Sequence, residues 1–158
     1  MSTVDIALRL SGHLPPSQEL NYCLGLSPTW TARKGEQIAK RRVQPIDVWL
    51  LNLVKYESDR PEMVINQYWL QVSALITKLA PALASLDRTQ CKADLFVSTI
   101  VNEDQGGLSL PPGLISAAAA ANLSLQLSIL VMPDSDEGSE LLTSETAEPS
   151  HESSISVE

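Results

Sequence analysis

The densest charge in the first 132 residues is the run Arg33-Lys34-Gly35-Glu36-Gln37-Ile38-Ala39-Lys40-Arg41-Arg42, with five bases and one acid. Such a run can hold phosphate, a nucleic-acid backbone or an acidic protein surface. Trp30 stands just before it and offers an aromatic face for stacking. One tryptophan does not make a stacking platform, and charged connectors of this length are ordinarily solvated loops, so nucleic acid is the disfavoured partner. The other group with chemistry to offer is His13, between Gly12 and Leu14 where a strand gives way to a helix. Only His151 accompanies it in the chain, so histidine acid–base work would fall to His13 alone. A solvated or capping histidine is its ordinary role. The candidate interaction residues are therefore His13, Trp30, Arg33, Lys34, Lys40, Arg41 and Arg42.

No nucleophile elbow, phosphate-binding loop, zinc-protease helix or calcium-loop spacing occurs in the chain. No catalytic, cofactor-binding or metal-ligating residue is assigned, and no cofactor is expected. Cys23 and Cys91 are far apart and form no Cys-x-x-Cys pair, which argues against a disulfide framework or a sulfur-rich metal site. Asn102-Glu103-Asp104-Gln105-Gly106-Gly107 has oxygens that could attract a cation but lacks ligand spacing, and reads as a glycine-relaxed turn.

The formal net charge of -8 is not spread evenly. Residues 133–158 hold eight acids and no Lys or Arg, whereas residues 1–132 carry 11 acids and 11 bases. A neutral globular domain over 1–132 and a disordered acidic, Ser/Glu-rich tail over 133–158 are expected. The tail could reach the basic connector in cis, since a flexible chain of that length spans roughly 25–30 Å. No apolar run approaches the length that spans a bilayer, and the N-terminus lacks a signal pattern, so a cytoplasmic protein without a membrane role is the expectation.

Hydrophobic periodicity supplies the elements. Val4, Ile6, Leu8 and Leu10 alternate with polar residues and predict a half-buried strand. Leu14-Pro15-Pro16 then opens a short helix that Gly25 closes. Ile46 to Tyr56 predicts a central strand, and Val64, Tyr68, Val72, Leu75 and Leu79 put an apolar face on a long helix that Pro81 should end or kink. Ala93 to Val101 predicts a third strand. A second Leu-Pro-Pro at 110–112 leads into an alanine-rich helix, and Leu123 to Val131 alternates as a fourth strand. The expected fold is α+β: a four-stranded, mainly antiparallel or mixed sheet with helices on one face, in a ferredoxin-like arrangement of two similar strand–helix–strand halves. Pairing order and oligomeric state do not follow from the sequence.

The run Leu8-Arg9-Leu10-Ser11-Gly12, then Pro15-Pro16, Leu24-Gly25-Leu26, Pro28-Thr29-Trp30 and Lys34-Gly35, with Trp49 in a strand, resembles the bacterial domain-of-unknown-function 4279 family over roughly residues 4–131. The resemblance implies a compact α+β module and carries no catalytic residues over. With a wet sheet face and two opposed charge blocks, the first functional reading is a non-enzymatic protein-binding module, an adaptor or an immunity-type protein, whose partner is an unidentified protein. The alternatives are a small-ligand or enzymatic domain with its site near His13 and Trp30, and nucleic-acid binding through residues 33–42.

Overall fold

The computed structural model describes residues 2–58, 61–101 and 108–132. In chain order the elements are β1 (Ser2–Gly12), α1 (Ser17–Leu24), β2 (Trp30–Ala32), β3 (Gln37–Ala39), β4 (Arg42–Val43), β5 (Asp47–Ser58), α2 (Pro61–Ala84), β6 (Cys91–Val101), α3 (Pro112–Ala120) and β7 (Ser124–Val131). The tail over 133–158 and the Asn102–Gly107 turn, for which disorder and a glycine-relaxed bend were expected, lie outside the described residues.

The architecture is α+β, with the main sheet ordered β2-β5-β1-β6-β7. β1 sits at its centre, antiparallel to β5 on one side and to β6 on the other. β2 adds antiparallel to β5, and β7 lies parallel to β6, so the sheet is mixed. β3 and β4 form a separate two-stranded ribbon.

Four of these strands were legible in the sequence, but the main sheet has five and a ribbon besides, which corrects the four-stranded expectation. The cause lies in residues 30–43. β2 is only three residues long, and β3 and β4 are exposed at every position, so none of them shows a period of two. The ferredoxin-like arrangement of two similar halves is corrected as well. Both Leu-Pro-Pro stretches do open a helix, with Pro16 and Pro111 at the N-caps, and both passages leave through a positive φ, at Gly25 and at Asn122. Their continuations differ, however. α3 leads directly into β7, which runs parallel to its neighbour β6, whereas α1 is followed by β2 and the ribbon before β5 returns antiparallel to β1.

One face of the sheet is buried. Val4, Ile6, Leu8 and Leu10 of β1 share a single core with Trp49 of β5, Ala93, Leu95 and Val97 of β6, and the inner faces of all three helices. α2 turns Trp69, Val72, Ile76, Leu79 and Leu83 inward at spacings of 3, 4, 3 and 4, a stripe rotated from the expected Tyr68–Leu75 line because Trp69 takes the deeper position. Pro81 neither ends that helix nor stops its inner face, since α2 continues to Ala84. Trp49 is fully buried, and its indole Nε1 donates to Asn21 Oδ1 at 2.9 Å, tying α1 to the sheet.

Gly12 closes β1 at a φ of +115°, with the adjacent His13 N–H donating to Gln90 O at 2.9 Å. A Cβ at Gly12 would come within 2.8 Å of that same carbonyl. The close pairing of the end of β1 with the start of β6 therefore requires glycine.

Candidate functional site

Among the described residues no helix lies on the opposite face of the sheet, and it is here that polar and aromatic side chains gather. Asp5, Ala7 and Arg9 of β1 alternate with the core residues and so point away from the helices. Register brings Lys55 opposite Asp5, Asn52 opposite Ala7 and Leu50 opposite Arg9 on one side, and Ser98, Phe96 and Asp94 opposite the same three residues on the other. Beyond β5, Trp30 pairs with Leu50. Together with Ile38 and Arg42 of the ribbon and the buried Gln44, these residues, Asp94 excepted, line an open groove of about 670 Å³.

Arg9 anchors the groove. Its guanidinium donates through Nη2 to Asp94 Oδ2 at 3.1 Å and through Nε to the same oxygen at 3.3 Å. Nη2 also donates to Gln126 Oε1, and the guanidinium carbon lies 5.1 Å from the Phe96 ring centroid. Stacking on Phe96 and bonding to Asp94 hold the arginine flat on the sheet. The other oxygen, Asp94 Oδ1, is buried with no hydrogen-bond partner among the described residues. Arg42 and Lys55 are the remaining bases on the groove wall.

The expected interaction residues divide among three places. Trp30 and Arg42 line the groove, and Lys40 and Arg41 are exposed between the two ribbon strands. Arg33 instead turns toward the start of α1, donating to Leu14 O at 3.2 Å and Pro15 O at 3.0 Å, with its Nε 3.6 Å from Asp47 Oδ1. Lys34 contributes its backbone N–H to Asp47 Oδ1 at 2.8 Å. His13 lines a separate cleft of about 410 Å³ with Leu14, Arg33, Asp87, Gln90 and Cys91. His13 and Trp30, grouped by sequence into one site, thus face different depressions.

Asp47 organises the whole connection. Burial pushes its carboxyl toward the neutral form, but the N–H groups of Lys34 and Leu14 and the charges of Arg33 and His13 outweigh this and hold it below the ordinary carboxylate range. Among the described residues no three His, Cys, Asp or Glu side chains converge as a metal site would need, and no helix is long and apolar enough to cross a membrane.

Sequence reading passed over Arg9, Phe96, Asp94, Asn52 and Lys55 as site residues. The signal available for Arg9 was its polar place in an alternating strand; for Phe96, in a strand apolar at most positions, there was none.

The sequence model of a domain of unknown function, DUF4279, matches residues 2–132, a span that takes in every strand and helix described. The chain belongs to this family. Neither the curated proteins nor the solved structures gave a match to it. For this DUF4279 member the groove is thus characterised by its own geometry: an aromatic and basic wall from Trp30 and Arg42, and a floor braced by the Arg9–Asp94 pair.

Proposed function

We propose that the chain is a bacterial, cytoplasmic, non-enzymatic binding module, of adaptor or immunity type, that holds a segment of a partner protein across the open face of its sheet. The observation that carries this reading is the meeting of Trp30, Arg42 and the Arg9-capped Phe96 ring in one groove on the sheet face opposite the core. Tryptophan and arginine are the side chains most enriched where protein partners bind tightly, because each offers a large contact area together with directional polar groups. The floor adds apolar surface from Ala7, Val48 and Leu50, while Asn52, Gln44 and Ser98 offer hydrogen bonds along its length. An extended segment suits an open groove lined with both kinds of group.

The test is capture of a protein partner by the intact chain, followed by titration of that partner against Trp30→Ala and Arg42→Glu. A stoichiometric partner whose affinity falls at least tenfold in both variants supports the reading. Recovery of no protein at low salt, or a partner bound equally by both variants, overturns it. A mobility shift with nucleic acid that fades steeply as salt rises would instead assign the ribbon bases to phosphate.

A further inference from the structure

The edge strand β7 carries a surface unlike the rest of the molecule. Leu127, Ile129, Leu130, Val131 and Met132 are 46%, 46%, 52%, 40% and 53% exposed, so apolar side chains stand free on both faces of one strand. Among the described residues nothing pairs with its outer edge. Edge strands are normally protected by charge, by proline or by shortness. β7 has none of these over its eight residues, and no Lys, Arg, Asp or Glu stands between Asp104 and Asp134. The opposite edge of the sheet, β2, is three residues long.

We propose that β7 pairs antiparallel with β7 of a second copy of this chain, joining two five-stranded sheets into one across a two-fold axis at Ser128. The backbone fixes which residues can do this. Met132 donates its N–H to Val101 O at 2.8 Å, so even-numbered residues of β7 turn their backbone groups toward β6. Leu125, Leu127, Ile129 and Val131 then direct their N–H and C=O groups outward. An axis at Ser128 sets Leu127 opposite Ile129 of the second copy and Leu125 opposite its Val131, each exchanging two hydrogen bonds. Every such pair is apolar on the helix side of the sheet, where Leu127 and Ile129 are exposed. The second copy is favoured over a charged partner because the strand is uncharged throughout and pairs with itself without setting like charges opposite.

Sedimentation equilibrium on the intact chain is expected to give a dimer, and Ile129→Lys, with an unchanged far-ultraviolet spectrum, to weaken it at least 100-fold. Ser128→Cys in a Cys23→Ser background tests the register and does not depend on the lysine variant folding. Ser128 faces its own copy in a non-hydrogen-bonded pair with Cα atoms about 4.5 Å apart, within reach of a disulfide. Mild oxidation should crosslink it, and leave Ser124→Cys, whose two copies would stand roughly 26 Å apart, uncrosslinked. A monomer at about 100 µM, or a dimer in which Ser128→Cys fails to crosslink, overturns the proposal.

Discussion

The carboxylate of Asp47, at the first position of β5, accepts the backbone N–H of Leu14 at 3.0 Å from a residue 33 positions away. Its second oxygen takes the Lys34 N–H, and Arg33 lies beside it. A single side chain thereby fastens the start of α1 and the loop before the ribbon to the end of the sheet. Three backbone segments thus meet at one charge.

Replacing Asp47 with Asn removes that charge and turns an amide donor toward backbone donors. The expected loss is about 2–3 kcal/mol of unfolding free energy at neutral pH, because hydrogen bonds to a charged acceptor are the stronger kind and the Leu14 donor left behind is buried. The folded carboxyl titrates below its ordinary value of 3.8, so its contribution is fully present above that value and is lost as pH falls through the lower folded value. Urea unfolding of the wild type should lose stability below about pH 4, and the Asn variant should lose less over the same window. Equal declines in both proteins would remove Asp47 from this role.

Arg9 and Asp94 form an unequal pair, since the arginine side chain is 30% exposed and the aspartate 12%. Arg9→Ala strands a nearly buried carboxylate, one oxygen of which already lacks a partner, whereas Asp94→Ala leaves an arginine that can turn to water and still bond Gln126. Arg9→Ala is expected to cost about 1–3 kcal/mol and Asp94→Ala less. Chemical denaturation of the two variants measures the difference, and a costlier Asp94→Ala would reverse the assignment of which partner depends on the other.

Among the strands that were legible in the sequence, β1 is the one buried cleanly on one face. β1 alternates because one side meets the helices, β7 alternates in sequence although its side chains are largely exposed, and the two Leu-Pro-Pro stretches mark their helix starts because proline suits a first turn. The site was less legible for a reason rooted in the same rule. A groove on the open face is assembled by register, and which residues of β1, β5 and β6 stand side by side depends on pairing that no local pattern encodes. Trp30 and Arg42 drew notice by residue type. Phe96 did not, because an aromatic in an apolar strand reads as core. Arg33 and Lys34 belonged to a basic run that looked solvated, yet the buried acid that recruits them lies beyond the ribbon, at the start of β5.

Two glycines with positive φ should respond differently to the same substitution. Gly25 ends α1 at a φ of +68° with open space where a Cβ would stand, so Gly25→Ala carries only the backbone cost, about 1 kcal/mol. Gly12→Ala adds a collision with the Gln90 carbonyl at 2.8 Å and the Cys91 Cα at 3.1 Å, neither of which can move without parting β1 from β6. Thermal unfolding should rank Gly12→Ala well below Gly25→Ala. Similar melting temperatures would mean that the two strands separate there at little cost.

Cys23 is exposed and Cys91 buried, which makes thiol labelling a probe of the closed end of the sheet. Burial pushes the Cys91 thiol above its ordinary 9.0, the nearby Asp87 charge adds to that, and Arg88 offsets part of it. Its Sγ also donates to Asp87 O at 3.3 Å. The thiolate is the reactive form, so both low access and a raised pKa slow Cys91 at neutral pH. A colorimetric thiol reagent at pH 7.5 should titrate one cysteine quickly in the native protein and two after unfolding. In Gly12→Ala the second cysteine should label faster without denaturant, because the strand ends that shield it are forced apart. Rapid labelling of both cysteines in the wild type would show that β1 and β6 already open there.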